Sequence, residues 1–292
     1  MRIVTQTETL ARFYTDEEAV QILAKAGFDA IDWSFFDMLK DDNIWCSDDW
    51  KAHAESVKQT AAACGIGFRQ AHAPFAPYFG DEEKTPALWE KILRAMEAAA
   101  YMGVKNIVVH PIQHLPYAKN KQLLFDMNVA MYKKLIPYCE KFGIRVCCEN
   151  MYQYDHKREV IVNSICADPE EFCALLDAID SEWIIGCLDI GHSALTGYDP
   201  AEFIETMGPK RLQCLHVHDV DYKHDCHTMP YMQKLDWESV MAALAKIGFT
   251  GDFTLEADNF LKQFPKELQP DAACLMAKTA RYLTGRFEAN KA

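Results

Sequence analysis

Six residues of metal-binding type recur along this chain: His72, His110, Glu149, Asp189, His216 and Glu256. They are spaced by 38, 39, 40, 27 and 40 residues, and each closes a short apolar run. Imidazole and carboxylate groups are the usual holders of divalent cations. Any one of the six, taken alone, reads as a hydrogen-bonded core histidine or a helix-capping acid. Six in phase would bring carboxylates together, and these repel unless protons or a cation intervene. A metal site is the economical expectation. Local spacing adds His192, three residues after Asp189 in LDIGH, and the alternate pair Asp225 and His227 in DCH. Alternation along a strand also puts His218 on the side of His216, further out, to touch substrate or to be a satisfied polar residue. The structural role is preferred for His218 and for Asp219. His53, His114 and His156 read as surface or loop residues.

Positioning such residues requires a repeated element, and one is present. An amphipathic stretch, a glycine and a short apolar run recur around Gly27, Gly65, Gly103, Gly143 and Gly248. A glycine just past a helix suits the left-handed C-terminal cap. The run after it reads as a strand buried on both faces. Two further units begin at Asp168-Pro169 and Asp199-Pro200, where the aspartate caps a helix and the proline takes its first position. Eight strands are predicted at about 2–6, 29–34, 66–72, 106–110, 144–149, 184–189, 212–218 and 252–256. Strand and helix in alternation demand a parallel sheet, and eight units close into a (β/α)8 barrel. No glycine-rich nucleotide turn follows Gln6, which disfavours an open doubly wound sheet. No linker divides the chain, so a single domain over 1–292 is expected. The long connections after strands five (150 to about 167) and seven (219 to about 235) are lid candidates on the substrate face.

Composition limits the partners. The chain has 292 residues, half of them hydrophobic, and a net charge of −13. It has no Lys/Arg cluster, whereas a nucleic-acid surface needs a basic stripe. The 11 cysteines are odd in number and lack C-x-x-C spacing, so most of them read as small buried hydrophobes in a reducing compartment rather than disulfide partners. Cys147, Cys148 and Cys187 in particular read as strand filler. The N-terminus does not resemble a signal peptide, and no apolar run reaches the ~20 residues of a membrane span. A cytoplasmic protein is the expectation, with no membrane or nucleic-acid partner.

The segments QAHAPF, VVHP, CCENM, LDIGHSAL, LHVHDVD with the following DCH, and LDWESVMAALAKIGFTGDFTLEAD occur in this order. From Arg2 to about Phe260 the chain resembles the xylose isomerase-like TIM-barrel superfamily, which includes sugar phosphate isomerases, ketose 3-epimerases, inosose dehydratases and endonuclease IV. The resemblance implies one divalent metal (Mn2+, Mg2+, Co2+ or Zn2+) held by Glu149, Asp189, His216 and Glu256. For the endonuclease branch it implies a three-zinc cluster that also uses His72, His110, His192, Asp225 and His227.

The implied chemistry is sugar isomerisation or epimerisation through a metal-stabilised enediolate, with Glu149 and Glu256 removing and returning the proton. His192 or His218 would shuttle a hydroxyl proton. Trp33, Phe36, Phe75, Tyr152 and Tyr222 are candidates to line a sugar pocket. Tyr222, Met229, Tyr231 and Met232 make the loop around DCH apolar, which suggests a bulky substrate or a partner subunit of a homo-oligomer. After strands seven and eight there are only Lys223, Lys234 and Lys262 and no glycine cluster, which favours an unphosphorylated sugar or glycoside. Two alternatives stay open. One is a lyase, either a dehydratase or a C-glycoside-cleaving subunit; the other is an endonuclease IV-like trinuclear zinc phosphodiesterase.

Overall fold

A computed structural model describes residues 1–291. The strands are β1 (Ile3–Gln6), β2 (Ala30–Ser34), β3 (Gly67–His72), β4 (Asn106–Val108) and β5 (Arg145–Glu149). There follow β6 (Tyr152–Asp155), β7 (Val160–Asn163), β8 (Ile184–Asp189), β9 (Leu212–His216) and β10 (Phe253–Leu255). Eight of them pair in the order β10-β1-β2-β3-β4-β5-β8-β9, with parallel neighbours throughout. The ends of that sheet meet: Val217 N donates to Thr254 O (2.9 Å) and Glu256 N donates to Val217 O (3.0 Å). The architecture is the (β/α)8 TIM barrel that the alternation of elements predicts.

Helix ends follow the local chemistry. Thr15 and Glu18 form a reciprocal capping box at the start of the helix Asp16–Ala26. Gly27 ends that helix at φ 98°, a conformation that costs a residue with a Cβ. Asp168 and Asp199 each accept two backbone N–H groups ahead of a proline at the first turn. In the unit without a glycine, Asp180 takes the left-handed position at φ 49°.

The barrel interior is layered. Cys147, Cys187 and Cys214 pack with Val108 and Ile185 in an inner apolar cluster. Each thiol precedes Glu149, Asp189 or His216 by two residues, so it lies one layer below that residue on the same strand face. These cysteines are strand filler, and all 11 are free. No helix among the described residues is long and apolar enough to cross a membrane.

Two elements depart from expectation. β4 ends at Val108, so His110 lies beyond the ladder, ahead of Pro111, which has no N–H to extend it. The connection after β5 is not a plain loop. β6 and β7 pair antiparallel from Tyr152↔Asn163 to Asp155↔Val160, forming a separate hairpin over the barrel mouth. The connection after β9 is irregular, with positive φ at Tyr222, His227 and Tyr231.

One outer contact carries a pH dependence. His53, on the helix Trp50–Ala63, lies 2.7 Å from the Asp16 carboxylate on the neighbouring helix. That hydrogen bond outweighs burial and raises the imidazole pKa above its ordinary value. A raised folded-state pKa gives stability that is complete below the unfolded value of about 6.5 and is lost as pH rises through the folded value. The difference in melting temperature between wild type and His53→Gln is therefore expected to be largest near pH 5.5 and to shrink by pH 9. A difference that grows with pH would contradict the assignment.

Candidate metal centre

The residues picked out by spacing converge at the C-terminal end of the barrel. His72 and Glu149 end β3 and β5, Asp189 and His216 end β8 and β9, and Glu256 follows β10. Four donor sets each gather within 4.8 Å: His72, His110 and Glu149; His72, His216 and Glu256; Glu149, Asp189, His216 and Glu256; and His192, His218, Asp225 and His227. Glu149 belongs to two of them. His216 Nδ1 lies 2.7 Å from Glu149 Oε1 and 3.0 Å from Glu256 Oε2. His110 Nε2 lies 2.9 Å from Glu149 Oε2, an atom that nonetheless has no directed hydrogen bond.

Three histidines have their tautomers fixed from behind. The Nδ1 atoms of His72, His192 and His227 donate to the carbonyls of Ala73 (2.8 Å), Asn150 (2.9 Å) and Glu256 (3.1 Å). A carbonyl oxygen only accepts, so Nδ1 carries the proton, and a neutral ring would turn its Nε2 lone pair inward. There His72 Nε2 meets His110 Nε2 at 3.0 Å. His227 Nε2 meets Asp225 Oδ2 at 3.0 Å, and His192 Nε2 approaches the same oxygen at 3.9 Å. Electron pairs facing one another need a proton or a cation between them, and a backbone partner on the outer nitrogen is the usual support of a metal-bound imidazole.

The charges make the same demand. Burial would raise the Glu149 carboxyl pKa, but His216 and His110 hold it well below the ordinary range. Burial likewise opposes the charge on His192, yet Asp189 and Asp225 push its pKa up to about 10. Burial alone dominates at His110 and lowers its pKa. The cluster thus draws positive charge into a buried place, and a divalent ion meets that need more compactly than several protons. The donor set fits such an ion.

Residues of ordinary type hold this arrangement. Asn150 clamps Asp189 twice, donating to its carbonyl (3.0 Å) and accepting from its N–H (2.7 Å). Gln6 Nε2 donates to Glu256 Oε1 at 2.8 Å. Tyr152 OH donates to Asp225 Oδ2 at 2.8 Å. The Asp219 carboxylate accepts from Val220 N, Gln233 N, Leu235 N and Trp237 Nε1, pinning the loop that carries Asp225 and His227. His227 itself sits at φ 41°, an unfavourable backbone for histidine that this packing sustains. Gln6, Asn150 and the stapling role of Asp219 escape a reading based on ligand types, because their signal lies in the hydrogen-bond partners.

A cavity of about 450 Å3 opens over the cluster, lined by Glu149, Glu256, His72, His110, His192, Asp225 and His227 among others. Asp189 and His216 lie fully buried beneath its floor. Phe36, Phe75 and Tyr152 line it as expected. Three of the expected pocket residues do not. Asp32 points inward to Gln70 (3.1 Å), so its neighbour Trp33 points outward and packs edge-to-face with Trp45 and Phe68 at 1% exposure. Tyr222 lies on a left-handed turn, 49% exposed, with its hydroxyl on Lys234 O (3.3 Å). His218 is wholly buried, its Nε2 at 3.0 Å from Asp189 Oδ1 and its ring stacked on His227. Gly191 permits this, because a Cβ there would fall 2.1 Å from the His218 ring.

Residues 20–279 match the family described as Xylose isomerase-like TIM barrel. The chain belongs to that family. It is 28% identical over 195 residues to an uncharacterized protein of Methanocaldococcus jannaschii, covering 64% of each. It is 23% identical over 155 residues to a probable endonuclease 4 of Metamycoplasma arthritidis, covering 51% of this chain and 52% of that one. The chain thus spans less than two thirds of the length of these curated relatives. Among solved structures, a D-psicose 3-epimerase superposes with a TM-score of 0.75 at 16% identity, covering 98% of this chain and 100% of that one. A 3-keto-D-glucoside 4-epimerase from E. coli gives 0.73 at 18% identity, covering 95% and 99%. These likenesses show a shared barrel.

Asn150→Ala is expected to weaken divalent-metal affinity about 10- to 100-fold, as loss of a ligand's support does. Competition with a chromogenic chelator measures this, and Trp33→Phe is expected to leave the affinity unchanged.

Proposed function

We propose that this protein is a divalent-metal-dependent sugar isomerase or epimerase acting as one domain over 1–292. The observation that carries the reading is the pair of buried carboxylates. Glu149 and Glu256 come from different sides of the barrel, converge on one nitrogen of His216 (2.7 and 3.0 Å), and both line the cavity. Two such groups on one substrate can take a proton from a carbon beside a carbonyl and return it on the other face or to the next carbon. The solved relatives with the names of D-psicose, 3-keto-D-glucoside and L-ribulose epimerases support this reading.

Glu149, Asp189, His216 and Glu256 would hold the ion, Mn2+, Mg2+, Co2+ or Zn2+. When bound, it supplies Lewis acidity that makes the C–H next to a sugar carbonyl easier to ionise. The residues of the chain do the rest. Glu149 and Glu256 exchange the proton, while Gln6 fixes the Glu256 carboxylate through Oε1. His192, with Nδ1 committed to Asn150 O, presents Nε2 to the cavity to relay a hydroxyl proton. Phe36 and Phe75 offer apolar faces to the sugar and keep water from it. The 11 free thiols support a reducing, cytoplasmic setting.

A second reading has its own observation. All nine residues of an endonuclease IV-like trinuclear set are gathered, with Glu149 shared between two groups. On that reading the substrate is a phosphodiester.

Metal analysis joined to a sugar panel in deuterated water tests both. Solvent deuterium at a substrate carbon, lost by about 10²-fold or more in Glu149→Gln and Glu256→Gln, is expected for the epimerase. Three zinc ions per chain with cleavage of abasic DNA would establish the phosphodiesterase, and release of water or an aglycone would establish a lyase. Full turnover in excess chelator would overturn the proposal.

A further inference from the structure

Beside the cavity over the candidate metal centre lies a larger chamber of about 1000 Å3, lined in part by the β6–β7 hairpin. The two share Phe75, His110, Gln113 and Tyr152 in their linings, so they adjoin at these residues. A free monosaccharide held at the metal centre would leave the outer chamber empty.

The outer chamber differs in character from the inner one. Aromatic rings from Phe75, Tyr152 and Tyr154 face it, and Lys119, Lys121 and Arg158 stand along its lining. The chain as a whole has 43 acidic and 30 basic residues, yet Asp155 is the one carboxylate in this lining. Its Oδ1 is already occupied by the backbone N–H groups of Lys157 (3.0 Å) and Arg158 (3.1 Å). Among the described residues, none of the three cations forms an ion pair. The floor is braced: Gln153 Nε2 donates to the carbonyls of Gln113 and Leu115 (both 2.8 Å), and its Oε1 accepts from Tyr117 N (3.0 Å). Flat apolar walls ending in unpaired cations suit a flat apolar body ending in a negative charge.

We propose that the outer chamber is an anion-selective subsite for the distal part of an extended sugar derivative, an aromatic body that ends in a carboxylate or phosphate. That the near part is a sugar rests on the isomerase or epimerase reading; the subsite itself does not. Lys121 Nζ stands over the Tyr117 ring (5.1 Å to its centre), and Lys119 and Arg158 are exposed at the rim, so charge and apolar contact lie side by side.

The test uses the full chain and three probes that carry no sugar: 2-naphthoate, 2-naphthyl phosphate and the neutral 2-naphthalenemethanol. Binding is measured by calorimetry on chelator-treated and metal-loaded protein. Both anions are expected to bind at least about tenfold more tightly than the alcohol, with or without metal, and less tightly as salt is raised. The stronger of the two anions identifies the terminal group. Lys119→Gln/Lys121→Gln/Arg158→Gln is expected to abolish the preference while leaving the alcohol unaffected. Arg158→Gln alone, on the exposed hairpin turn, is expected to reduce it. Tyr154→Ala is expected to weaken all three probes alike. Equal affinity for anions and alcohol, or a preference that survives the triple substitution, would overturn the proposal. Deuterium exchange without anion preference would remove the subsite and spare the epimerase. Anion preference without exchange would do the reverse.

Discussion

Four carboxylates, those of Glu149, Asp189, Asp225 and Glu256, share one end of a closed barrel with little access to water. Moving such charges out of water costs several kcal/mol each unless it is compensated. Every polar feature around them answers that cost. Imidazoles face the carboxylates at 2.7–3.9 Å, and the outer nitrogens of His72, His192 and His227 are held by backbone carbonyls. Asn150 and Gln6 hold the acids, and Asp219 holds the loop that brings Asp225 and His227. The strand ladders set the spacing, and the apolar thiol layer beneath gives the cluster a dry floor.

Much of this was legible in the sequence because the signals were periodic. The recurrence of His, Asp and Glu, at 38 to 40 residues in four of five spacings, reported one position in successive βα units, and the structure puts those residues on one rim. Glycine and Asp-Pro marked helix ends because their backbone preferences are local. Features that depended on the neighbour across the fold were harder. Trp33 was expected in the pocket because aromatic rings stack on sugars, but strand alternation had already committed the inward place to Asp32. His218 shares the parity of His216, yet Gly191 lets its ring sink behind Asp189. The hairpin left only a short signal, the alternation of YQYD and the β-branched run of VIVN, which is easily missed beside the stronger buried strands.

The cavity over the cluster is asymmetric as a result. On one side the walls come from the barrel strands and the loop pinned by Asp219. On the other Tyr152 enters from the hairpin, which pairs with itself rather than with the barrel sheet. Tyr152 is where the two sides meet, since its hydroxyl holds Asp225 while its ring stands edge-on to His192 at 4.9 Å.

The self-contained pairing of β6 and β7 bears on how such a protein changes over generations. A strand of the barrel cannot be lengthened or recomposed without shifting the rim and every side chain mounted on it. The hairpin adds its residues between Glu149 and Ile184 without entering that ladder, and Gln153 anchors it through backbone partners that no side-chain change removes. Substitutions at its tip are therefore nearly free of structural penalty. The tip of the hairpin can thus alter the lining of the outer chamber without moving the strand ends that carry Glu149, Asp189 and His216.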